Sequence, residues 1–140
     1  MIFDFVVKGI PKPQKRHRHT KRGFTYDPSL DDKRKFISII QLQAPKKPLD
    51  GGLAIKVKFY MPRPKKHFRT GKFSNELKPN VPYIYNTIPD IDNLLKFVMD
   101  SCNKILWHDD ARIWRVEMEK VYSNSPRTEI NVEVTHERLQ

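Results

Sequence analysis

A helix is predicted to begin within Pro89-Asp90-Ile91-Asp92-Asn93-Leu94-Leu95-Lys96 and to run from about Asp92 to Ile105. A proline before a helix and an aspartate at its first positions are typical N-terminal signals. Apolar side chains at helical spacing predict the buried stripe, which consists of Leu94, Val98, Cys102 and Ile105. The opposite stripe is polar and consists of Asn93, Lys96, Asp100 and Asn103.

Two strands are predicted before this helix and two after it. Residues 2–8 place Phe3, Phe5 and Val7 on one face, and residues 53–60 alternate apolar residues with a basic outer face. The later strands carry two apolar series, Trp114, Val116 and Met118, then Ile130, Val132 and Val134. Because only Ser123-Asn124-Ser125-Pro126 separates them, these two strands are predicted to form an antiparallel hairpin.

An earlier helix is predicted from Ser29, where Ser29-Leu30-Asp31-Asp32 resembles a capping box, and Pro45 and Pro48 end it. Its buried residues would be Phe36, Ile37 and Ile40. The elements together indicate a single compact α+β domain of 140 residues. A mixed or antiparallel sheet would pack against two main helices, with long basic loops between the elements.

The positive charge is concentrated in the first part of the chain. Residues 1–88 contain 20 Lys/Arg and 6 Asp/Glu, whereas residues 89–140 contain 7 and 10, so the net charges are +14 and −3. Such an excess favours a polyanionic partner through counterion release. Two loops, 9–28 and 62–89, carry the candidate DNA-binding residues, which are Lys12, Lys15, Arg16, Arg18, Lys21, Arg22, Lys65, Lys66, Arg69 and Lys72.

Other partners and compartments are disfavoured by the sequence. It has no amphipathic basic helix and no lipidation signal, so nucleic acid is favoured over an anionic membrane. The single cysteine, Cys102, excludes an intramolecular disulfide. No secretory signal or segment of transmembrane length is found, and a soluble cytoplasmic protein is expected.

Three aspartates are the candidate metal ligands. Asp90 and Asp92 point to the same side if the helix begins at or after Asp92, and a compact connection could bring Asp110 towards them. Ligands that are all oxygen suit Mg²⁺, with Mn²⁺ as a substitute. Lys96 follows Asp92 by one helical turn, where its ammonium group can approach a phosphate.

Simpler interpretations of these residues remain open. Aspartates are common at helix N-termini, which explains Asp90 and Asp92 equally well. Asp109 and Asp110 could be only a turn, and Lys96 could pair with Asp100. His17 and His19 are expected to contact phosphate or solvent, and His108 is expected to be structural or to face solvent. Trp107 and Trp114 are expected in the core.

The combined pattern resembles the RusA family of Holliday junction resolvases. It consists of the stretch from Pro89 to Lys96, then Asp100, then Trp107-His108-Asp109-Asp110, with a similar basic loop in Gly9-Ile10-Pro11-Lys12-Pro13-Gln14-Lys15-Arg16-His17-Arg18. By position, the family's catalytic carboxylates match Asp90, Asp92 and Asp110, and its functional lysine matches Lys96. Pro89 and Arg112 depart from the family pattern, and residues 62–88 are longer than in its shortest members.

The resemblance implies one nuclease domain over residues 1–140, of bacterial or phage type. It implies a homodimer that binds four-way DNA junctions and cuts two strands symmetrically with Mg²⁺, in recombination, repair or phage DNA processing. No small-molecule cofactor and no membrane partner are implied. Two alternatives are a non-catalytic nucleic-acid-binding protein and a metal-dependent nuclease for other branched or duplex DNA.

Overall fold

The computed structural model describes residues 1–136 and 140. Its elements in chain order are β1 (Ile2–Lys8), β2 (Arg18–His19), β3 (Thr25–Tyr26), α1 (Leu30–Gln43), β4 (Gly52–Pro62), α2 (Ile91–Cys102), β5 (Ile113–Ser123) and β6 (Arg127–Thr135). Short 3₁₀ helices lie at Lys65–His67, Gly71–Phe73 and Asp110–Arg112. No helix within the described residues has both the length and the apolar character to cross a bilayer.

The main sheet is mixed and has four strands in the order β1-β6-β4-β5. Strand β4 is parallel to β5 and antiparallel to β6, and β6 is antiparallel to β1. One face of β4 is fully buried and consists of Leu53, Ile55, Val57, Phe59 and Met61. The predicted α+β architecture with a mixed sheet and two helices is therefore confirmed.

The predicted hairpin between the last two strands is wrong. Only residues 124–126 connect β5 to β6, yet β4 lies between them and pairs with both. A short connection fixes the opposite direction of two strands but leaves room for a third strand between them. Strand β4 fits this central position because its apolar face is continuous and because Lys56 and Lys58 form ion pairs with Glu117 and Glu119 of β5.

Strand β5 is more exposed than its alternating pattern predicts. It lies at the edge of the sheet, where Trp114 is 61% exposed, Val116 38% and Met118 37%. Trp114 occupies a register shift opposite β4 and donates its indole N–H to Thr135 Oγ1 at 3.0 Å. The expectation that Trp114 belongs to the core is wrong, whereas Trp107 is fully buried as predicted.

Helix α1 begins at the predicted place but without the predicted capping box. The Ser29 side chain caps no helical N–H, and its Oγ accepts the backbone N–H of Lys15 at 2.9 Å. Phe36 and Ile40 are buried, and Ile37 is half-buried. The Phe36 ring meets Phe97 of α2 edge-on with centroids 5.6 Å apart, which packs the two helices together over the sheet.

Helix α2 confirms most of the predicted buried stripe. Leu94, Val98 and Cys102 are buried, and Phe97 joins them. The helix is shorter than predicted at its C-terminal end, so Ile105 lies beyond it in the connection to β5.

Candidate active site

The first turn of α2 presents two carboxylates. Asp90 is the N-cap residue with an extended backbone, and Asp92 lies in the first helical turn. The helix therefore begins at Ile91, one residue before the start that would place both side chains on the same side of an extended segment. Asp92 Oδ1 accepts the N–H of Asn93 at 2.9 Å, and Asp90 caps no helical N–H.

Lys96 lies one turn further along the exposed face of α2. Like Asp90 and Asp92, it is exposed and forms no ion pair with any of the described residues. The predicted alternative, a pair between Lys96 and Asp100, is wrong. Asp100 instead meets Lys33 of α1, with Nζ 3.5 Å from Oδ2.

Asp110 lies in the connection between α2 and β5, where buried Trp107 contacts it. The Trp107 indole N–H donates to Asp110 Oδ1 at 2.7 Å. Burial raises the pKa of Asp110, and the negative charges of Asp100 and Asp109 raise it further, whereas the Trp107 hydrogen bond opposes them. Asp109 accepts the N–H of Ala111, so the turn interpretation is confirmed for Asp109.

The three predicted ligands are not gathered into one ligand set. Among residues 1–136 and 140, no three His, Cys, Asp or Glu side chains are positioned to hold a single metal ion. The charges that raise the pKa of Asp110 are those of Asp100 and Asp109. The donor chemistry nevertheless fits a hard divalent cation, because Asp90 and Asp92 are exposed carboxylates and the negative charges of Asp100 and Asp109 act on the Asp110 carboxylate.

A network that the sequence did not reveal lies beside this site. Asp27 Oδ2 contacts Lys33 Nζ at 2.7 Å, and Asp27 Oδ1 accepts hydrogen bonds from Gln14 Nε2 and Ser29 N–H, each at 2.9 Å. Burial opposes ionisation of Asp27, but these hydrogen bonds and the Lys33 charge outweigh it and lower its pKa to about 2. One feature of the sequence could have indicated this network, because Asp27 is the only acidic residue in the basic loop 9–28.

Comparison with known proteins identifies the family. The sequence model for the family Endodeoxyribonuclease RusA matches residues 7–133. This chain belongs to the RusA family. The resemblance predicted from the aspartate and lysine pattern is confirmed, and the chain is an endodeoxyribonuclease by family.

One curated relative shares most of the RusA domain. The uncharacterized protein YqaN of Bacillus subtilis (strain 168) is 28% identical over 133 residues, which cover 91% of this chain and 93% of the relative. The similarity therefore spans nearly the whole length of both proteins.

The basic loop of this RusA domain begins close to the first turn of α2. The backbone N–H of Gln14 donates to the carbonyl of Asn93 at 3.0 Å. The next residue, Lys15, is fixed by its hydrogen bond to Ser29 Oγ. All the predicted DNA-binding residues of the loop, Lys12, Lys15, Arg16, Arg18, Lys21 and Arg22, are exposed.

The second basic segment of the RusA domain contacts the free side of β5. Tyr85 N–H donates to the Lys120 carbonyl at 3.2 Å, and Tyr122 N–H donates to the Tyr83 carbonyl at 2.8 Å. Lys120 was not predicted as a site residue, yet its Nζ donates to the carbonyls of Thr87 and Pro89 at 2.7 and 2.8 Å. Lys120 therefore supports the backbone directly before Asp90.

The predicted DNA-binding residues of the second segment are also exposed. Lys65 and Lys66 lie in its first 3₁₀ helix, whereas Lys72 lies in the second. Arg69 is engaged within the protein, because its guanidinium lies 2.6 Å from Glu76 and 4.2 Å from the centroid of Phe73. Of these four cations, Arg69 is thus the least available to phosphate.

Proposed function

We propose that this chain resolves four-way DNA junctions by metal-dependent hydrolysis of phosphodiester bonds. Family membership carries the proposal, and one structural observation supports it at the level of the site. Asp90, Asp92 and Lys96 lie together at the start of one helix, and all three are exposed and have no ion-pair partner among the described residues. The N-terminus of a helix explains the two carboxylates, but it does not explain why an exposed lysine without an ion-pair partner in the described part of the chain lies one turn after them.

The metal ligands in this proposal are Asp90, Asp92 and Asp110, which are chosen by their match to the family pattern, since the structure does not gather them into one ligand set. Bound Mg²⁺, or Mn²⁺ in its place, would act as a Lewis acid and lower the pKa of a bound water molecule. The chain's own contribution is a set of carboxylates that favours a cation, because the negative charges of Asp100 and Asp109 already act on Asp110. Trp107 orients the Asp110 carboxylate through its hydrogen bond.

Lys96 and the basic loops would bind the DNA backbone. The Lys96 ammonium stabilises negative charge on the phosphate that is cut. The proposed phosphate contacts outside the site are Lys12, Lys15, Arg16, Arg18, Lys21, Arg22, Lys65, Lys66, Arg69 and Lys72. We place the reaction in the cytoplasm of a bacterial or phage-infected cell, where it would serve recombination, repair or phage DNA processing.

A homodimer would present two equivalent sites to two equivalent strands. We propose that residues 113–119 of β5, the part of its outer edge that segment 62–89 leaves uncovered, form the interface with a second copy. In an antiparallel two-fold pairing centred on Glu117, Arg115 faces Glu119 of the second copy, and Val116 faces Met118. Opposite charges would then meet at both ends of this pairing and apolar side chains beside its centre, whereas the two Glu117 side chains would face each other at the centre and oppose it as like charges.

The test is incision of a labelled mobile four-way junction beside a linear duplex of the same sequence, with Mg²⁺ or with a chelator. We expect paired, metal-dependent nicks in the junction alone. Asp92→Asn should reduce cleavage by at least about a hundredfold, since even residues behind metal ligands contribute up to that factor. Junction binding should remain, because the shape of the side chain is kept.

The matched control is Asp31→Asn, which removes the same charge from an exposed position on α1 and should cut normally. Binding without incision by the wild type would favour a non-catalytic binding protein. Equal cutting of both DNAs would favour a nuclease without junction selectivity.

The dimer is tested separately by sedimentation. Val116→Lys with Met118→Lys should convert dimers into monomers and replace paired incisions by single nicks. Ile2→Lys with Val6→Lys makes the same change on exposed residues of the opposite edge strand and should leave the dimer intact. A dimer that survives the β5 changes would place the interface elsewhere.

A further inference from the structure

We propose that Asp27 and Lys33 are positioning residues that fix the basic loop on α2 and thereby select which phosphodiester is cut. The proposal rests on the proposed function, because it assumes that the loop binds DNA while the start of α2 carries the catalytic groups. Asp27 and Lys33 belong neither to the residues proposed to bind DNA nor to the catalytic groups. They act by positioning these two groups of residues relative to each other.

Lys33 connects two carboxylates from different parts of the chain. Its Nζ lies 2.7 Å from Asp27 Oδ2 and 3.5 Å from Asp100 Oδ2. The side chains of Lys33 and Asp27 are only 12% and 14% exposed. Ion pairs that are withdrawn from solvent in this way are screened less than surface pairs, and removal of one partner leaves an uncompensated charge.

The Asp27 side of this bridge fixes both ends of the basic loop. Asp27 Oδ1 accepts a hydrogen bond from the side-chain Nε2 of Gln14, in the first part of the loop, and another from the backbone N–H of Ser29, just after its end. Ser29 in turn accepts the N–H of Lys15. The backbone of Lys15 is therefore connected to Lys33 through three short contacts, by way of Ser29 and Asp27, while its ammonium group stays exposed.

The Asp100 side of the bridge reaches the catalytic helix. Asp100 lies one helical turn after Lys96 and two turns after Asp92 on the polar stripe of α2. It is also close enough to Asp110 for its charge to act on that carboxylate. Lys33 therefore stands between the loop proposed to bind phosphate and the residues proposed to cut it.

This arrangement determines a distance along the DNA. If Lys15 and its neighbours bind one phosphate, the bridge sets how far the catalytic groups lie from it. Misplacement of reacting groups by about 1 Å can reduce a rate about a hundredfold. Loss of the bridge should therefore affect the position and rate of incision more than it affects DNA affinity.

The experiment maps incisions at nucleotide resolution on a junction with a fixed branch point. Three variants are compared with the wild type: Asp27→Asn, which keeps the hydrogen-bond acceptor but removes the charge, Lys33→Met, and Lys33→Arg. We expect both charge-removing variants to cut several neighbouring phosphodiesters and to lose at least about tenfold in single-turnover rate. Their dissociation constants should stay within about threefold, and Lys33→Arg should restore a single incision position.

The control is Arg34→Met, which removes a neighbouring cation whose side chain is 70% exposed and should leave the incision pattern unchanged. Incision at the wild-type phosphodiester in both charge-removing variants, with only a lower melting temperature, would overturn the proposal. In that case the bridge would serve stability alone.

A second readout separates this proposal from the proposed function. If the wild type cuts no DNA, the proposed function fails. Hydrogen exchange at the backbone amide of Lys15 then decides whether the Asp27–Lys33 bridge still positions the loop. Faster exchange there in Asp27→Asn, with an unchanged global unfolding midpoint, supports the bridge. Unchanged exchange in both Asp27→Asn and Lys33→Met overturns it.

Discussion

Trp107 is a single residue that connects the core to the proposed site. Its indole ring is fully buried, while its N–H donates to Asp110 Oδ1. We predict that Trp107→Phe, which keeps most of the packing, lowers the free energy of unfolding by about 1.5–3 kcal/mol, as expected for a hydrogen bond to a charged group. Cleavage should fall about 10- to 100-fold if Asp110 holds the metal as proposed, because residues behind metal ligands contribute that much.

The same change should alter the pH dependence of cleavage. Burial and two acidic neighbours already raise the pKa of Asp110, and the Trp107 hydrogen bond opposes this rise. Without that bond the carboxylate ionises at higher pH, so the acidic limb of the pH–rate profile should move upward. Trp114→Phe removes an indole N–H from an exposed contact and should leave the profile unchanged; an equal shift there would refute the assignment.

For single residues, the sequence predicted which residues form the candidate site better than it predicted which residues they contact. The spacing of Asp90, Asp92 and Lys96 was enough to select them, because residues close together in sequence have a geometry that one helix start determines. The partner of Asp100 was not predictable in this way. Its ion pair with Lys33 joins two helices, so it depends on how α1 and α2 pack.

Among the elements, β5 and β6 show what an alternating sequence pattern can predict and what it cannot. Alternation located both strands correctly, because a period of two is a property of the strand itself. Their neighbours were mispredicted, since adjacency depends on competition among all strands for a place in the sheet. Strand β4, which has a continuous apolar face, occupies a central position in the sheet. Strand β5 lies at the edge and has exposed apolar side chains.

The segment 62–89 contains an element whose stability should depend on pH. His67 is buried, and its ring meets Tyr122 edge-on with centroids 4.7 Å apart. Burial lowers its pKa below the usual 6.5, and the nearby charges of Arg63, Lys66 and Lys78 lower it further. The fold therefore favours the neutral ring, and the stabilisation it gives is complete above pH 6.5.

We predict that this stabilisation is lost progressively as the pH falls below 6.5 towards the lowered pKa. Limited proteolysis within residues 62–89 should accelerate between pH 7.5 and pH 5.5 in the wild type. His67→Phe keeps an aromatic ring against Tyr122 but cannot be protonated, so its proteolysis should change little over this range. His17→Phe, at an exposed position, should retain the wild-type acceleration. If the acceleration disappeared in His17→Phe, the pH effect would not be specific to His67.

For the whole molecule, the uneven charge predicts salt-dependent DNA binding. The net charge is +11, and the cations of loop 9–28 lie exposed beside the start of α2. Replacing Lys15, Arg16 and Arg18 by Ala should weaken junction binding and reduce the slope of log affinity against log salt by up to about 3, since each phosphate contact contributes about 0.9. Binding is measured with a chelator present, so that cleavage does not intervene.

The control for this prediction replaces Arg34, Lys46 and Lys47 by Ala. These three cations are also exposed but lie outside both basic loops. The control should change affinity much less and leave the slope near the wild-type value. Equal slopes in the two triple variants would show that total charge, and not loop 9–28, governs binding.

The strand order also governs when a growing chain can fold. Strand β6 follows all the other sheet strands in the sequence, yet it lies between β1 and β4. Until β6 has left the ribosome, β1 has no partner in the sheet, and β4 is paired along one edge only, with β5. The sheet therefore closes only after β6 has been synthesised, and translation that stopped before Arg127 would leave β1 unpaired and one edge of β4 open to aggregation.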